Sequence, residues 1–363
     1  MPWYHLSDPD KTDSPVLLIH PESVIHNIRE TIRIAGNNAL RPHVKTHKMR
    51  AVTDLLLAEG IRQFKCATLK EARMLAETGA PDVLLAYPVV GPKAAGLRAL
   101  AEAFPQTRFG CLTDSEAGVN NLSAVFVDAP KPLDVWIDLN VGMNRTGINP
   151  EVAPALAAHI HQTPGLTLAG LHAYDGHVRD TDFALRCQRA DAAFALAKQA
   201  QKTIADQLGV MLPIAVGGTP SFPAHARRQD SVMQLSPGTF VFWDAGYRQQ
   251  VPDLPYEIAA VLLTRVVSII DDQTLCIDLG HKSVAAENPF PRVVFPDHLD
   301  ATPIGQSEEH LVVRVSDARA HTPGDVWYGI PIHICPTVNL YDSVQVVENK
   351  QITGEWVVTA RGH

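Results

Sequence analysis

The chain has 363 residues, of which 46% are hydrophobic and 19% charged, and its formal net charge is −8. This acidic balance, without any block rich in Lys or Arg, argues against nucleic acid as a partner, because a phosphate backbone must be neutralised by positive charge. No run approaches the roughly 18 apolar residues of a membrane span, and the first residues lack the apolar core of a secretory leader. We therefore expect a protein that binds neither nucleic acid nor a membrane.

From about residue 16 to residue 247, short apolar runs alternate with longer helical patterns. This alternation predicts parallel strands joined by crossover helices. Eight candidate strands begin near Arg41, Ile61, Asp82, Thr107, Leu133, Leu166, Leu212 and Ser231. Eight such units predict a closed (β/α)8 barrel over residues 16–247.

After residue 247 the sequence becomes rich in β-branched runs with turns between them. This pattern predicts a second, mainly antiparallel β domain over residues 248–363, which the opening residues 1–15 are expected to join. Two domains also suit a chain of this length. Five cysteines without regular spacing are typical of reduced thiols, which predicts a cytoplasmic protein.

Polar clusters follow the candidate barrel strands, where the active sites of such barrels lie. RPHVKTHK places Lys45 at the end of the first strand, among His43, His47 and other cations that favour a neutral, nucleophilic amine. The alternative is an ordinary lysine that pairs with a carboxylate on a loop.

Two later segments, VGGTPS and LSPGTF, supply glycine N–H groups and hydroxyls after the last two strands. This is the usual phosphate position of a barrel, so Gly218, Thr219, Gly238 and Thr239 are candidate phosphate ligands, with plain turns as the alternative.

In GMNRTG, Arg145 is a candidate partner for a phenolate or carboxylate, or else for a salt bridge within its loop. In HAYDGH, Tyr174 offers a hydroxyl to a ring nitrogen, while His177 either contacts substrate or is structural.

The segment PIHICPT places His333 and Cys335 two residues apart. On an extended strand both side chains point to one face, which predicts half of a metal site. Imidazole and thiolate suit zinc and leave positions open for water and substrate. The alternative is a pair of core residues without a metal.

Together, RPHVKTHK, GMNRTG, HAYDGH, GGTPS, SPGTF and HICPT resemble the D-threonine aldolase and D-serine dehydratase family of fold-type III pyridoxal phosphate enzymes, relatives of alanine racemase. The resemblance runs from about Pro15 to the end of the chain. It implies an alanine racemase-like barrel, a C-terminal β domain, a D-amino acid substrate and a homodimer. It implies that the cofactor is held by Lys45, His43, Arg145, Tyr174, Gly218, Thr219, Gly238 and Thr239. It also implies that His333 and Cys335 hold a divalent metal, which is zinc, with manganese and magnesium as alternatives.

The same resemblance bears on the reaction. The family's aldolases pair the metal-binding histidine with an aspartate and carry a histidine a few residues past the tyrosine. This chain has Cys335 and Asp180 at those positions. Histidine with cysteine resembles the zinc-dependent dehydratases, which favours β-elimination from a β-hydroxy-D-amino acid to a keto acid and ammonia. Cleavage to glycine and an aldehyde is the alternative, with Asp180 or His177 as the base beside Lys45.

Two other classes remain open. A racemase needs a second acid/base on the opposite face, for which Tyr328 or Tyr341 is available. A cofactor carrier without catalysis resembles single-barrel relatives, whereas this chain continues well beyond the barrel and carries the His-x-Cys pair.

Overall fold

The computed structural model describes residues 2–228 and 230–363. Met1 and Gln229, which the predicted domain ranges include, lie outside the described residues. The chain divides into two compact units, which we call the barrel unit and the sheet unit. The barrel unit comprises Thr31–Lys45, Thr53–Gly238 and His363. The sheet unit comprises the chain up to Glu30, Thr46–Val52 and Thr239–Gly362.

The strands and helices alternate over the first two thirds of the chain and give way to strands in the last third. The strands are β1 Val16–Ile19, β2 Ala39–Leu40, β3 Gln63–Cys66, β4 Asp82–Pro88, β5 Arg108–Thr113, β6 Leu133–Asp138, β7 Leu166–Ala173, β8 Ile214–Val216, β9 Met233–Leu235, β10 Ala260–Asp271, β11 Thr274–Ile277, β12 Val293–Val294, β13 Thr302–Gln306, β14 Leu311–Arg314, β15 Val326–Pro331, β16 Ser343–Glu348 and β17 Gln351–Val357. The α-helices are α1 Pro21–Ala35, α2 Arg50–Ala58, α3 Leu69–Glu77, α4 Lys93–Ala103, α5 Glu116–Phe126, α6 Ala153–Gln162, α7 Phe183–Leu208, α8 Phe222–Ala226, α9 Ala245–Gln250 and α10 Ile334–Val338.

The barrel unit contains eight parallel strands in the order β2-β9-β8-β7-β6-β5-β4-β3. A single parallel bridge between His43 and Lys65 connects the two ends of this order, so the barrel is nearly closed. The predicted (β/α)8 barrel is therefore confirmed, and its eight strands begin close to the eight predicted positions.

The interior of the barrel is filled by side chains from several strands. Trp136 is the largest member of a buried cluster with Leu84, Leu112, Ala169 and Ala215. Gly170 on the neighbouring strand leaves room for it, because a Cβ there would lie 2.4 Å from the indole ring. The small residue next to Trp136 is thus a packing requirement of the barrel.

The sheet unit is built on a nine-stranded, mainly antiparallel sheet, as predicted. Its main order is β13-β14-β11-β10-β1-β16-β17, and β15 pairs with β10 and β12. Strand β1 pairs antiparallel with β10 and parallel with β16. It falls inside the predicted barrel range of 16–247, but its hydrogen bonds belong to this sheet. The two units therefore differ from the predicted domain ranges, because residues 16–30, Thr46–Val52 and residues 239–247 belong to the sheet unit.

Among the described residues, no helix combines the length and the apolar character needed to cross a membrane.

Candidate active site

The predicted site residues of the barrel unit lie just beyond the C-terminal ends of its strands. Lys45 lies in a 3-10 turn, Val44–Thr46, rather than in the strand itself. The other members are Arg145 after β6, Tyr174 directly after β7, Gly218 and Thr219 after β8, and Gly238 after β9. Because all these strands are parallel, their polar residues belong to one end of the barrel.

Two of the basic residues near Lys45 in the sequence, His43 and Arg41, have well-defined partners in the barrel unit. His43 remains beside Lys45, and its Nδ1 accepts the Lys45 backbone N–H at 3.2 Å. Arg41 is buried and donates to Asp82 Oδ1 at 2.6 Å and to Gln234 Oε1 at 2.7 Å. The charge of the Arg41 guanidinium is therefore paired by partners on the barrel strands.

Lys65, on β3, is a site residue that the sequence analysis missed. Its Nζ lies 3.4 Å from His172 Nε2 and 5.7 Å from the centre of the Tyr174 ring. Burial and the nearby charge of Lys45 lower the pKa of Lys65 to about 7. The sequence signal was the lysine within the short strand QFKC. A buried lysine usually has a polar partner, so this residue could have been predicted to belong to a polar site.

His172 and Asp138 continue this polar group into the barrel. His172 Nδ1–H donates to Asp138 Oδ1 at 2.7 Å, and the Thr146 hydroxyl donates to Asp138 Oδ2 at 2.7 Å. Burial and the charge of Lys65 lower the pKa of His172. Burial opposes ionisation of Asp138, but His172, Thr146 and Arg145 together outweigh burial, and the pKa of Asp138 is lowered. The result is a neutral imidazole beside an ionised carboxylate.

Tyr174 is held by its neighbours on several sides. The Arg145 guanidinium lies 5.0 Å from the ring centre. Glycines leave room for the ring, since a Cβ at Gly176 or Gly218 would approach ring atoms to 2.4 Å and 2.9 Å. The Tyr174 hydroxyl makes no hydrogen bond to a described residue, so it is available to a ligand.

The loop after β8 is fixed by a buried network that the sequence analysis did not predict. Ser221 Oγ accepts from the Gly218 N–H at 3.1 Å and donates to Asp175 Oδ1 at 2.6 Å. His225 Nε2 bonds Asp175 Oδ2 at 2.7 Å. Burial raises the pKa of Asp175, but His225 and Ser221 together with a backbone hydrogen bond outweigh burial, and the net shift is downward. The network orders Gly218 and the residues that follow it.

Replacing Asp175 with alanine is expected to destabilise the protein by about 3 kcal/mol, because His225 and Ser221 lose a buried partner. Urea denaturation followed by circular dichroism measures this change, with the exposed Asp128→Ala as the matched control. Because the folded-state pKa of Asp175 is depressed, its contribution is present above about pH 4 and lost as the pH falls further. Equal unfolding midpoints for the two variants at pH 7 would contradict this role.

The predicted phosphate cradle is partly assembled within the barrel unit. The Gly238 N–H donates to Thr219 Oγ1 at 3.0 Å. The Ser236 hydroxyl, directly after β9, is buried and has no hydrogen-bond partner among the described residues. A buried orphan hydroxyl, glycines, the Arg145 guanidinium and the amines of Lys45 and Lys65 fit an anionic cofactor. Thr239 belongs to the sheet unit, where its hydroxyl lies 3.6 Å from Cys335 Sγ.

His333 and Cys335 lie in the sheet unit, but not on one strand. Strand β15 ends at Pro331, and His333 is the N-cap of α10. The Asp244 carboxylate accepts the Ile334 N–H at 3.0 Å, which fixes the start of this helix. The expected extended geometry is therefore wrong, although the side chains of His333 and Cys335 do interact by a hydrogen bond.

The donor set fits a divalent metal with two protein ligands. His333 Nδ1 is 2.5 Å from Glu287 Oε1, and the Thr46 hydroxyl is 3.2 Å from Cys335 Sγ. A carboxylate on one ring nitrogen orients an imidazole for metal binding through the other. Burial opposes the charged form of His333, but Cys335 and Glu287 outweigh it and raise the pKa to about 9. No group of three or more His, Cys, Asp or Glu side chains suited to a metal occurs in residues 2–228 and 230–363.

The two candidate bases are less closely tied to this group. His177 is exposed and lies beside Gly142, where a Cβ would be 2.7 Å from its Nε2. Asp180 forms a salt bridge to Arg189 at 2.9 Å. Its other oxygen, Oδ2, is buried without a hydrogen-bond partner among the described residues. Asp180 therefore has an ionic partner of its own.

The two tyrosines considered for a racemase are occupied by structural contacts. Tyr341 donates to the Ser283 carbonyl at 2.7 Å, and burial raises its pKa. The Tyr328 hydroxyl accepts the Leu6 N–H at 3.0 Å, and burial raises its pKa as well. Neither contact favours a role as an exchanging base.

The fold and this set of residues define a class, the alanine racemase-like barrel with a second β module. Residues 19–245 match the model for the alanine racemase N-terminal domain, and residues 259–347 match the model for a putative serine dehydratase domain. The chain belongs to the family that combines these modules and includes D-threonine aldolase. The resemblance stated from the motifs is confirmed.

Particular relatives agree in sequence and in structure. The chain is 30% identical to D-threonine aldolase of Arthrobacter sp, over 97% of this chain and 93% of the relative. It is 29% identical to D-threo-3-hydroxyaspartate dehydratase of Delftia sp., over 77% of this chain and 74% of the relative. The crystal structure of D-threonine aldolase from Filomicrobium marinum matches with a TM-score of 0.89 and 28% identity, covering 97% and 96% of the two chains.

Proposed function

We propose that the chain is a lyase that depends on pyridoxal phosphate and a divalent metal and removes water from β-hydroxy-D-amino acids. The products are a keto acid and ammonia, as in D-serine and D-threonine dehydratases. At the level of the family, its relatives are lyases of β-hydroxy-D-amino acids. The observation that carries the choice of elimination is the pairing of His333 with the thiol of Cys335, where Glu287 orients the imidazole.

The barrel unit supplies the residues that would hold the cofactor. Lys45 would form the covalent link through Nζ, Arg145 would face an oxygen of the ring, and the available Tyr174 hydroxyl would face the ring nitrogen. The phosphate would be bound by the ordered Gly218 loop, Thr219, Gly238 and the Ser236 hydroxyl. Bound pyridoxal phosphate supplies an electron sink that stabilises negative charge at the α-carbon of an amino acid.

The chain's own residues then account for the movement of protons. The neutral amine of Lys45 accepts the α-proton of the substrate at Nζ. The positive charges of Arg145 and Lys65 favour an anionic ligand in the same unit. A metal on His333 Nε2 and Cys335 Sγ would supply Lewis acidity for a hydroxyl oxygen. Zinc is proposed because thiolate and imidazole suit it better than manganese or magnesium.

A second candidate is retro-aldol cleavage to glycine and an aldehyde. It is favoured by the D-threonine aldolase match, which extends over more of the chain than the dehydratase match. It needs a base for the β-hydroxyl, for which the candidates are His177 and Asp180. The ion pair between Asp180 and Arg189 already engages the Asp180 carboxylate, which supports elimination instead.

The products distinguish the two reactions. Purified protein loaded with pyridoxal phosphate is incubated with D-serine, D-threonine and D-threo-3-hydroxyaspartate, with zinc or with a chelator. We expect keto acid and ammonia in equal amounts, and a loss of about 10²-fold or more in rate on chelation. If D-threonine gives glycine and acetaldehyde but no 2-oxobutanoate, the reaction is retro-aldol cleavage and the proposal of elimination is refuted. Formation of the L-amino acid that resists the chelator would instead indicate a racemase.

We also propose a homodimer located in the cytoplasm, on the basis of the family resemblance and the five scattered cysteines, which form no disulfide with one another. Light scattering should give twice the 39.5 kDa mass of one chain. The mass of a single chain across the concentration range of the assay would contradict the dimer.

A further inference from the structure

Lys65 is a buried amine without an acidic partner in direct contact. Its residue is 3% exposed, and no carboxylate of the described residues lies within salt-bridge distance of its Nζ. The neighbours of Nζ are the His172 imidazole at 3.4 Å and the face of the Tyr174 ring. A permanently charged ammonium would be costly in these surroundings, so the position favours an amine that changes its charge.

The hydrogen bonds around Lys65 fix its orientation in both charge states. His172 Nδ1–H is directed to the Asp138 carboxylate, which leaves Nε2 as an acceptor for an N–H of Lys65. Thr146 holds the other oxygen of Asp138. Neither partner needs to turn when Lys65 gains or loses a proton. The surroundings of Lys65 Nζ are therefore preorganised to bind a proton.

The charged groups that act on Lys65 divide into two kinds. The cations disfavour its charge and the carboxylates favour it; the cations are Lys45 and Arg41, and the carboxylates are Asp138 and Asp175. Lys45 has the largest effect of these four. His43, two residues before Lys45, forms a parallel bridge with Lys65, so the two lysines belong to adjacent segments of the barrel. The other partners are fixed in buried ion pairs or hydrogen bonds, so Lys45 is the neighbour whose charge changes if it reacts with an aldehyde.

We propose that Lys65 is the proton acceptor paired with Lys45 and that its Nζ takes up a proton when Lys45 Nζ loses its positive charge. One proton leaves the Lys45 ammonium and one N–H bond forms at Lys65, so the charge of the barrel end is unchanged. His172, supported by Asp138, is the positioning residue for this amine. The proposed proton exchange involves only the two amines and does not require the proposed function. A role of this exchange in catalysis does rest on the proposed function.

The first test uses the protein without cofactor, with lysines labelled at ¹³Cε and followed by NMR from pH 5 to 11. The Lys65 resonance is identified by its absence from Lys65→Arg and Lys65→Met. We expect it to titrate near pH 7, and to titrate about one pH unit higher in Lys45→Met, where the repulsion is removed. Titration at the ordinary lysine value of about 10.4, or an unchanged midpoint in Lys45→Met, would overturn the pairing.

The second test uses the protein loaded with pyridoxal phosphate and measures the pH midpoint of the visible absorbance of the lysine-bound cofactor. Lys65→Arg keeps a fixed charge and should lower the midpoint, whereas Lys65→Met removes the charge and should raise it. We expect the two to differ by about one pH unit, with the unchanged protein between them. If Lys65 were only structural, the absorbance midpoints of Lys65→Arg and Lys65→Met would not lie on opposite sides of the midpoint of the unchanged protein.

The two tests separate the possible failures. A Lys65 that titrates as expected in a protein that never binds pyridoxal phosphate would leave the amine pair standing and refute the proposed function. Cofactor binding with coincident midpoints for Lys65→Arg and Lys65→Met would refute the pairing and leave the proposed function standing. His172→Gln should move the Lys65 midpoint without removing its resonance, which checks the positioning role.

Discussion

Replacing Lys45 with alanine is expected to abolish the visible absorbance of the bound cofactor and to reduce turnover by at least about 10³-fold. The proposed covalent link and the proposed proton acceptor are the same amine, so the substitution removes both. The fold should persist, because Lys45 lies in a short turn beyond β2 and its backbone N–H bonds only a nearby ring. Absorbance of the loaded protein and product assays measure the two effects.

The control for this variant is Lys70→Ala, which removes an exposed lysine from α3 in the same unit. It should keep both the absorbance and the rate. A small primary amine such as methylamine should restore part of the turnover of Lys45→Ala, because it replaces the missing base. Retention of the absorbance by Lys45→Ala would reassign the anchor, and the buried amine of Lys65 would be the next candidate.

Replacing Cys335 with alanine is expected to release the metal and to reduce turnover by about 10²-fold or more, while cofactor binding is retained. With the thiol removed, only His333 remains of the two proposed ligands, and a single imidazole holds a divalent ion weakly. Elemental analysis after dialysis gives the metal content per chain, and the visible absorbance reports the cofactor independently.

Two further variants make this experiment specific. Cys276→Ala removes a buried thiol from the same sheet unit and should leave the metal content unchanged. Cys335→Asp supplies oxygen in place of sulfur and should bind again, with a preference shifted from zinc towards manganese. Full zinc content in Cys335→Ala would remove this residue from the site.

The barrel could be predicted from the sequence because each strand is a short apolar run that ends at a turn signal and is followed by a helical pattern. Strand β1 escaped this pattern. Its local sequence reads like the other strands, and only its pairing with β10 and β16 assigns it to the sheet. The local sequence of a strand does not show which distant strands it will pair with.

The site was predictable to the extent that its residues follow strand ends. Lys45, Arg145, Tyr174 and Gly218 lie beyond the ends of four different strands. Side-chain partners were not predictable in this way, because Lys65 and His172 are 107 positions apart and meet only when the barrel forms. The geometry around His333 was mispredicted because Asp244, 90 positions before Ile334, helps to start a helix where an extended strand was expected.

The pairing of β1 also has a consequence for synthesis of the protein. Leu17, Leu18 and Ile19 are fully buried by strands that the ribosome makes more than two hundred residues later. Throughout that interval the growing chain carries an apolar segment that has no strand partner. Chaperones bind segments of this kind, and aggregation can begin at them. Folding of the sheet must therefore wait for translation of nearly the whole chain, and fragments that stop near residue 247 are expected to be insoluble.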